Sequence, residues 1–452
     1  MRIVVLNGSP KGKYSISIQT VNYLAKWYPE HQFEILHVGQ RIRTLEKDLS
    51  SVTDALKQAE LVLFSYPIYT FIAPYQLHRL IELIKESGVS LDGKFVTQIT
   101  TSKHFYDVTA HRYIEDNCHD LGMKVIHGLS ADMDDLLTDK GQVEARAFWE
   151  HVCYCISNDF YEKSVPSYRL PAHMPVTIPP ATDAEKTGDV VVLTNRAADD
   201  KQLESMIERF CTVCPRKTRV VNIREYPFRG GCLGCFNCAV SGKCVYPDGF
   251  DDYLRNTIQS AQAIVLAFAI KDHSMGASFK LYDDRQFCNG HRTVTMGMPM
   301  GYLISGNYLQ EQNLQMIIEG RAQVGHNFLA GIATDETDPD GEIDKLARTL
   351  DWALENHYTP PQNFLGIGGM KIFRDLIWLM QGMMKADHRF YKKHHQYDFP
   401  QKKRGTMLKM YLVGALISSP KIKAKMGNAM NEGMIAPYKK LLERIDSQKS
   451  KT

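Results

Sequence analysis

Four of the ten cysteines in this 452-residue chain fall within thirteen residues, as Cys232-Leu-Gly-Cys235-Phe-Asn-Cys238-Ala-Val-Ser-Gly-Lys-Cys244. The spacing C-x2-C-x2-C-x5-C can bring four thiolates onto one centre, and the small residues between them let the backbone fold around it. Gly230 and Gly231 precede the run, and the segment 245–252 closes it with Pro247 and three aspartates. Iron–sulfur clusters take four thiolates from compact runs of similar spacing. Tetrahedral zinc also takes four, usually as two separated C-x2-C pairs. Spacing alone leaves a third reading open, a cysteine-rich loop that binds nothing. Cys118, Cys153, Cys155, Cys211, Cys214 and Cys288 are scattered. Cys211-x-x-Cys214 has redox-like spacing but follows a helical stretch and reads as structural.

Elements that position such a run come in a regular order. Hydrophobic residues make up 44% of the chain and charged residues 23%, the composition of an ordinary globular protein of two or three domains. A net charge of +3 calls for no nucleic acid partner. The N-terminus runs straight into a strand with no secretory leader, no apolar run approaches the ~20 residues needed to cross a bilayer, and the cysteine usage suits a reducing cytoplasm. Residues 2–7 read as a buried parallel strand, followed by the Gly- and Ser-containing stretch 8–17 and a helix to about residue 27. Strand, turn and helix N-terminus in that order make a natural phosphate site, with hydroxyls from Ser9, Ser15 and Ser17. A plain β–α turn capped by serine is the alternative. The loop fits neither the Walker pattern nor G-x-G-x-x-G. Strands at 33–38, 60–65, 95–100 and 123–127 alternate with helices at 51–59, 74–87 and 107–121, which implies a parallel sheet covered on both faces. Ligands of such sheets sit at the carboxyl ends of the strands. There the loop 65–75 is aromatic and proline-stiffened, suited to a flat ring system or to packing between subunits.

On these residues the first part, about 1–135, resembles the flavodoxin-like NADPH-dependent FMN reductases. Asn7-Gly-Ser-Pro-Lys11 matches the family's phosphate loop, and Pro67-Ile68-Tyr69 with Pro74-Tyr-Gln-Leu77 matches its P-x-Y loop and following helix. The resemblance implies FMN, with Ser9, Lys11, Ser15, Ile16 and Ser17 around the phosphate. Pro67, Ile68, Tyr69, Thr101 and Ser102 would then lie at the ring. Thr70 and Phe71 stand where an aromatic and a glycine are common, and His78 where a lysine is usual.

The pattern restarts after a Pro-rich linker (164–187). Strands at 189–194, 218–223, 261–269, 301–305 and 328–332, with helices at 199–212, 309–324 and 341–357, read as a diverged second copy of the fold. The cysteine run follows its second strand, where the iron–sulfur flavoproteins carry such a motif. That resemblance favours a 4Fe–4S cluster on Cys232, Cys235, Cys238 and Cys244. The second copy's loop 194–201 lacks glycine and carries two carboxylates, so FMN is not expected there. The C-terminal region 365–452 reads as amphipathic helices with a basic, aromatic middle, and Gly366-Ile-Gly-Gly369 reads as a hinge.

The fold class expected is therefore α/β: two tandem flavodoxin-like, doubly wound parallel-sheet domains (1–160 and 188–358) plus a C-terminal α-helical region. The expected function is that of a cytoplasmic, NAD(P)H-dependent FMN-type oxidoreductase passing electrons between FMN in the first domain and the cluster in the second. Its partners would be small-molecule or protein electron donors and acceptors. A homo-oligomer is compatible with this reading, and peripheral membrane contact through the C-terminal helices is a minor alternative. Two other readings stay open: an NAD(P)H-dependent FMN or quinone reductase without a cluster, and a non-catalytic scaffold with structural zinc.

Overall fold

The structure, a computed structural model, describes residues 1–164, 173–181, 185–399 and 403–417, with isolated positions between 435 and 448. Met1–Lys393 form one compact unit and His394–Thr452 a second. Much of the Pro-rich linker and most of the charged C-terminal stretch 438–446 lie outside the described residues.

The first half begins with β1 (Arg2–Asn7), α1 (Ser17–Trp27), β2 (Gln32–Leu36), α2 (Val38–Leu45) and α3 (Ser50–Gln58). It continues through β3 (Leu61–Pro67), α4 (Tyr75–Ser87), β4 (Phe95–Ser102) and α5 (Asp107–Asp120), and ends with β5 (Lys124–Val125), β6 (Leu129–Asp132) and α6 (Asp139–Ser157). The sheet order is β2-β1-β3-β4-β5, all parallel, with β6 also on β4. The single strand expected at 123–127 is thus two short ones. Gly128 sits in the break, where a Cβ would collide with Gln98. The strands are uniformly apolar because both faces are covered: Ile3 and Val5 pack with Trp149 on one side, Val4 and Leu6 with Leu77 and Leu80 on the other. Each such buried aliphatic contributes roughly 1.5–3 kcal/mol.

The second half contains β7 (Thr187–Thr194), α7 (Lys201–Val213), β8 (Arg216–Asn222), α8 (Asn237–Ser241), α9 (Phe250–Tyr253) and β9 (Ala263–Ala269). Then come α10 (Gly276–Arg285), β10 (Pro299–Ser305), α11 (Gln312–Gly325), β11 (Phe328–Thr334) and α12 (Pro339–Glu355). Its parallel sheet runs β11-β10-β9-β7-β8. Read from the other edge, this is the same strand order as in the first half, which fits a tandem duplication.

Helices α4 and α10 join the halves. They run antiparallel, and neither N-cap residue, Pro74 or Met275, supplies a side-chain cap, although Asp272 accepts the Gly276 N–H at 3.0 Å. Each is capped by the other: Asp284 accepts the Tyr75 N–H at 2.7 Å, and Glu82 accepts the Ala277 N–H at 2.7 Å. His78 is buried there against Asp272 (2.6 Å), which also accepts from Tyr113 Oη (2.7 Å).

After the second sheet, α13 (Phe364–Leu379) and α14 (Lys385–Lys393) belong to the first compact unit, and α15 (Arg404–Ile417) to the second. The 366–369 glycines are not a hinge. They lie inside α13, where a Cβ on Gly366 would collide with the Gln323 carbonyl and one on Gly369 with Val324, so these two small residues let α13 approach α11 closely. Among the described residues, no helix is long and apolar enough to cross a membrane.

Candidate functional site

The loop between β1 and α1 is organised by Asn7. Its Nδ2 donates to the Gly12 carbonyl (2.9 Å), and its Oδ1 accepts from Ser9 N–H (3.1 Å). Ser9 Oγ in turn accepts from Lys11 N–H (3.3 Å), and the Ser15 and Ser17 hydroxyls lie 2.9 Å apart. Helix α1 starts at Ser17, and Ile16 before it offers no side-chain cap, so the first N–H groups are left for another acceptor. Ser9, Lys11, Ser15 and Ile16 line a cavity of about 470 Å³, within the usual size of a cofactor site. Ser17 does not line it; it is buried behind, on Ser15.

Pro67, Ile68 and Tyr69 line the same cavity, as do Thr101 and Ser102 at the end of β4. After Tyr69 the chain reverses tightly, with Tyr69 N–H on the Ile72 carbonyl at 2.9 Å and φ of +48° and +75° at Thr70 and Phe71. A β-branched residue with positive φ is strained. The strain is held from the second half. Lys280 Nζ donates to the Tyr69 carbonyl (3.1 Å) and to Thr70 Oγ1, which also contacts Asp283. Arg321 donates to the Thr70 carbonyl (2.7 Å) and to Asp283 (2.9 Å), and Lys280 also pairs with Asp284. Lys280, Asp283 and Asp284 are buried. Burial pushes Asp284 above the usual carboxylate range. Burial acts the same way on Asp283, but Arg321 and Lys280 outweigh it and hold Asp283 low.

The cysteine loop is laid across these first-half loops. Gly234, at φ +61°, has no room for a Cβ because the Tyr69 hydroxyl is there, with Lys11 behind it. Gln76 Nε2 donates to the Cys232 carbonyl at 3.4 Å, Lys11 Nζ lies 5.8 Å from the Phe236 ring, and Arg43 donates to the Phe228 and Arg229 carbonyls. Asp251 anchors the far end by accepting Cys244 N–H at 2.6 Å. All four cysteines line the cavity. No three of their sulfurs lie within 4.8 Å of one another among the described residues. Four thiolates on a single zinc, each at ~2.3 Å from the metal, would be closer than that. A four-iron cube carries each thiolate on a different iron and so spreads them wider. Burial pushes the Cys232 thiol well up, and burial with Asp387 nearby brings Cys238 to about 11. Cys235 is the exposed member of the four.

Sequence reasoning missed several residues here. Cys288 is buried in the cavity wall, its thiol pushed to about 12 by burial and then by Asp251, with Cys244 and Cys238 close enough to add to the effect. Phe287, His291, Arg321 and Phe373 also line the wall. They come from the segment after α10, from α11 and from α13, where no local motif marks them. In the second half's own loop, Asp200 accepts Ala197 N–H (2.8 Å) and pairs with Lys271 (3.0 Å), so a carboxylate takes the backbone donor and the cation.

Residues 1–147 match the model of a family described as having a flavodoxin-like fold, and the common strand order extends that fold to the second half. The chain is therefore two flavodoxin-like units followed by C-terminal helices. Among individual proteins it is similar to an iron–sulfur flavoprotein of Archaeoglobus fulgidus, with 25% identity over 171 residues covering 36% of this chain and 77% of that protein. Similar solved structures include an FMN-dependent NADH-azoreductase from Bacillus anthracis in complex with FMN (14% identity, TM-score 0.27, 35% of this chain and 98% of that one). Another is an NADPH-quinone reductase from P. pentosaceus (13% identity, TM-score 0.27, 33% of this chain and 96% of that one).

Proposed function

We propose that this protein is a flavin-dependent oxidoreductase in which electrons pass between FMN held by the first half and a 4Fe–4S cluster held by Cys232, Cys235, Cys238 and Cys244. The observation that carries the proposal is the shared cavity: the phosphate-type loop, the Pro67–Tyr69 segment, Thr101, Ser102 and all four cysteines border one space. Bound FMN supplies the exchange between hydride chemistry and single-electron transfer, with NAD(P)H as the expected hydride donor. The chain's own residues bind and orient. Ser9, Lys11, Ser15 and the N-terminus of α1 receive the phosphate, aided by Ser17 from behind. The strained turn after Tyr69, clamped by Lys280 and Arg321, fixes one side of the ring pocket. The contact of Gly234 with Tyr69 sets the distance between the cysteine loop and that pocket. Lys11 and Arg43 place positive charge beside a loop whose cluster with four thiolates is anionic.

The test is the ultraviolet–visible spectrum of protein purified without oxygen, with flavin, iron, sulfide and zinc counted on the same sample. Flavin bands with a broad iron–sulfur shoulder are expected, and Cys235→Ser removes the shoulder while retaining flavin. Cys235 is suited to this test because it is exposed and its loss leaves no cavity. Flavin without iron would leave a simple reductase, zinc without flavin a scaffold, and either result defeats the proposal.

A further inference from the structure

Helices α13 and α14 carry a surface that neither flavodoxin-like unit needs. The inner side of α13 is packed: Gly366 and Gly369 seat it on α11, Ile377 is fully buried, and Phe373 lies 4.5 Å from Phe105. Its outer side is largely apolar. Phe364 is 84% exposed, Ile367 62% and Leu379 83%, and Trp378 and Met383 are also exposed. Phe364, Ile367, Lys371 and Trp378 follow one another at helical spacings, so they share one side, where Lys371 pairs with Asp375 (2.6 Å). Single exposed apolar side chains are ordinary, but a group of this size marks a contact surface.

Helix α14 is oriented from its buried side. Asp387 and Tyr391, one turn apart, are fully buried, and Asp387 pairs with Arg292 (3.0 Å) and His291 (3.1 Å). The opposite face is thereby turned outward. It carries Lys385, Arg389, Lys392 and Lys393, which recur at helical spacing. All four are exposed, and none pairs with a carboxylate among the described residues. Asp387, the one acid on α14, points inward and does not offset them. The apolar and basic parts adjoin at Trp378, whose ring lies 6.2 Å from that of His388.

The second compact unit repeats this character independently. Helix α15 exposes Leu408, Met410, Tyr411, Leu412 and Val413, and Lys403 and Arg404 stand at its start. Four consecutive exposed apolar residues cover the whole circumference of a helix. At ~1.5 Å per residue α15 is too short for a hydrocarbon core of ~30 Å, so it can lie in a bilayer surface but not cross it.

We propose that the outer face of α13 and α14 docks on an anionic phospholipid surface. The apolar side chains of α13 enter the boundary between headgroups and acyl chains, and the cations of α14 sit on the phosphates. Charge decides against a second copy of this chain as the occupant, because a two-fold pairing would set the four cations against their own copies. Nucleic acid would suit the cations but leave Phe364, Ile367 and Leu379 in water. The docking does not depend on which cofactors the chain holds. The inner side of α13 lines the cavity through Ile372, Phe373 and Leu376, so the docked cavity lies about one helix diameter, ~10 Å, from the lipid.

The experiment floats the full chain with vesicles of phosphatidylcholine alone or of phosphatidylcholine mixed with phosphatidylglycerol, and records tryptophan fluorescence on the same samples. Flotation with the mixed vesicles is expected, with little on phosphatidylcholine alone and a loss at high salt. A blue shift should accompany it and should be smaller in Trp378→Phe. Changing Lys392→Gln together with Lys393→Gln should lower the partition coefficient about thirtyfold, the effect of two cations at an anionic surface. Phe364→Ser with Leu379→Ser should abolish the Trp378 shift. These side chains are on the surface, so the variants should fold, and circular dichroism checks that they do. Leu408→Ser with Leu412→Ser isolates the part played by α15. Absence of wild-type flotation, equal flotation on the two vesicles, or a loss confined to the α15 variant would overturn the proposal. A dimer in sedimentation that Leu379→Ser dissociates would also overturn it, since a second copy would then cover the face.

Discussion

Replacing Lys280 by methionine tests the clamp that joins the halves. The substitution keeps the length of the side chain and removes its charge at a fully buried position. Asp283 retains Arg321, but Asp284 loses its cation and keeps the Tyr75 N–H and a longer bond (3.3 Å) from Thr70 Oγ1. Removing one partner of a buried pair costs about 3–5 kcal/mol, because the remaining charge is left in a poor solvent. The lost bonds to Thr70 Oγ1 and the Tyr69 carbonyl add to this and free a turn that opposes its own backbone preference. The deficit depends on pH in a defined direction. Burial already raises the folded-state pKa of Asp284 above its unfolded value, and loss of Lys280 raises it further. A raised carboxylate favours the folded state below its unfolded pKa, and that advantage is lost as pH rises through the folded pKa. The variant should therefore be weakest at neutral pH and approach wild type as pH falls through the raised Asp284 pKa. Urea unfolding followed by circular dichroism from pH 7 downward measures this. Adding Asp284→Asn, which removes the stranded charge, should restore more than half of the loss. A neutral-pH deficit under about 1 kcal/mol, or no rescue in the double variant, refutes the account of a buried clamp.

Two smaller tests follow from the same geometry. Gly234→Ala places a Cβ against the Tyr69 hydroxyl at a residue with φ +61°, and should cost about 1–2 kcal/mol of backbone strain together with displacement of the loop. The added change Tyr69→Phe relieves the collision but not the strain, so iron content should recover more than stability does. His111 is buried with Nε2 2.8 Å from Thr100 Oγ1, and burial lowers its pKa to about 4. Its stabilising contribution is full above the unfolded value near 6.5 and is lost as pH falls toward 4, roughly 3 kcal/mol in all. His111→Gln should flatten that slope in the same unfolding assay, and an unchanged slope would remove His111 from the account.

Much of this arrangement could be read in the sequence because it is local. β1 has an unbroken apolar centre (Ile3 to Leu6) and β9 is apolar throughout, the pattern of a strand buried on both faces. The phosphate-type loop and the cysteine run are contiguous segments, so both could be located in the sequence, and the structure brings both to one cavity. What could not be read was long-range. Asp284 and Tyr75 are far apart in the chain, and a carboxylate that caps a helix in the other half has no nearby signature. Gly366 and Gly369 show the same limit from the other side: glycine serves both hinges and tight helix contacts, and only the neighbour on α11 decides which. Helix α6, with Trp149 buried against the first sheet, was likewise hidden by its even mix of apolar and charged residues.

The reciprocal capping of α4 and α10 sets an order of events during synthesis. Tyr75 leaves the ribosome 209 residues before Asp284 does. At about 5–20 residues per second, the first half waits roughly 10–40 s with the start of α4 uncapped and the turn after Tyr69 unclamped. Throughout that interval it has the loops of the proposed flavin pocket without the residues that lock them, so on that proposal stable capture of a cofactor is deferred until the partner half has emerged.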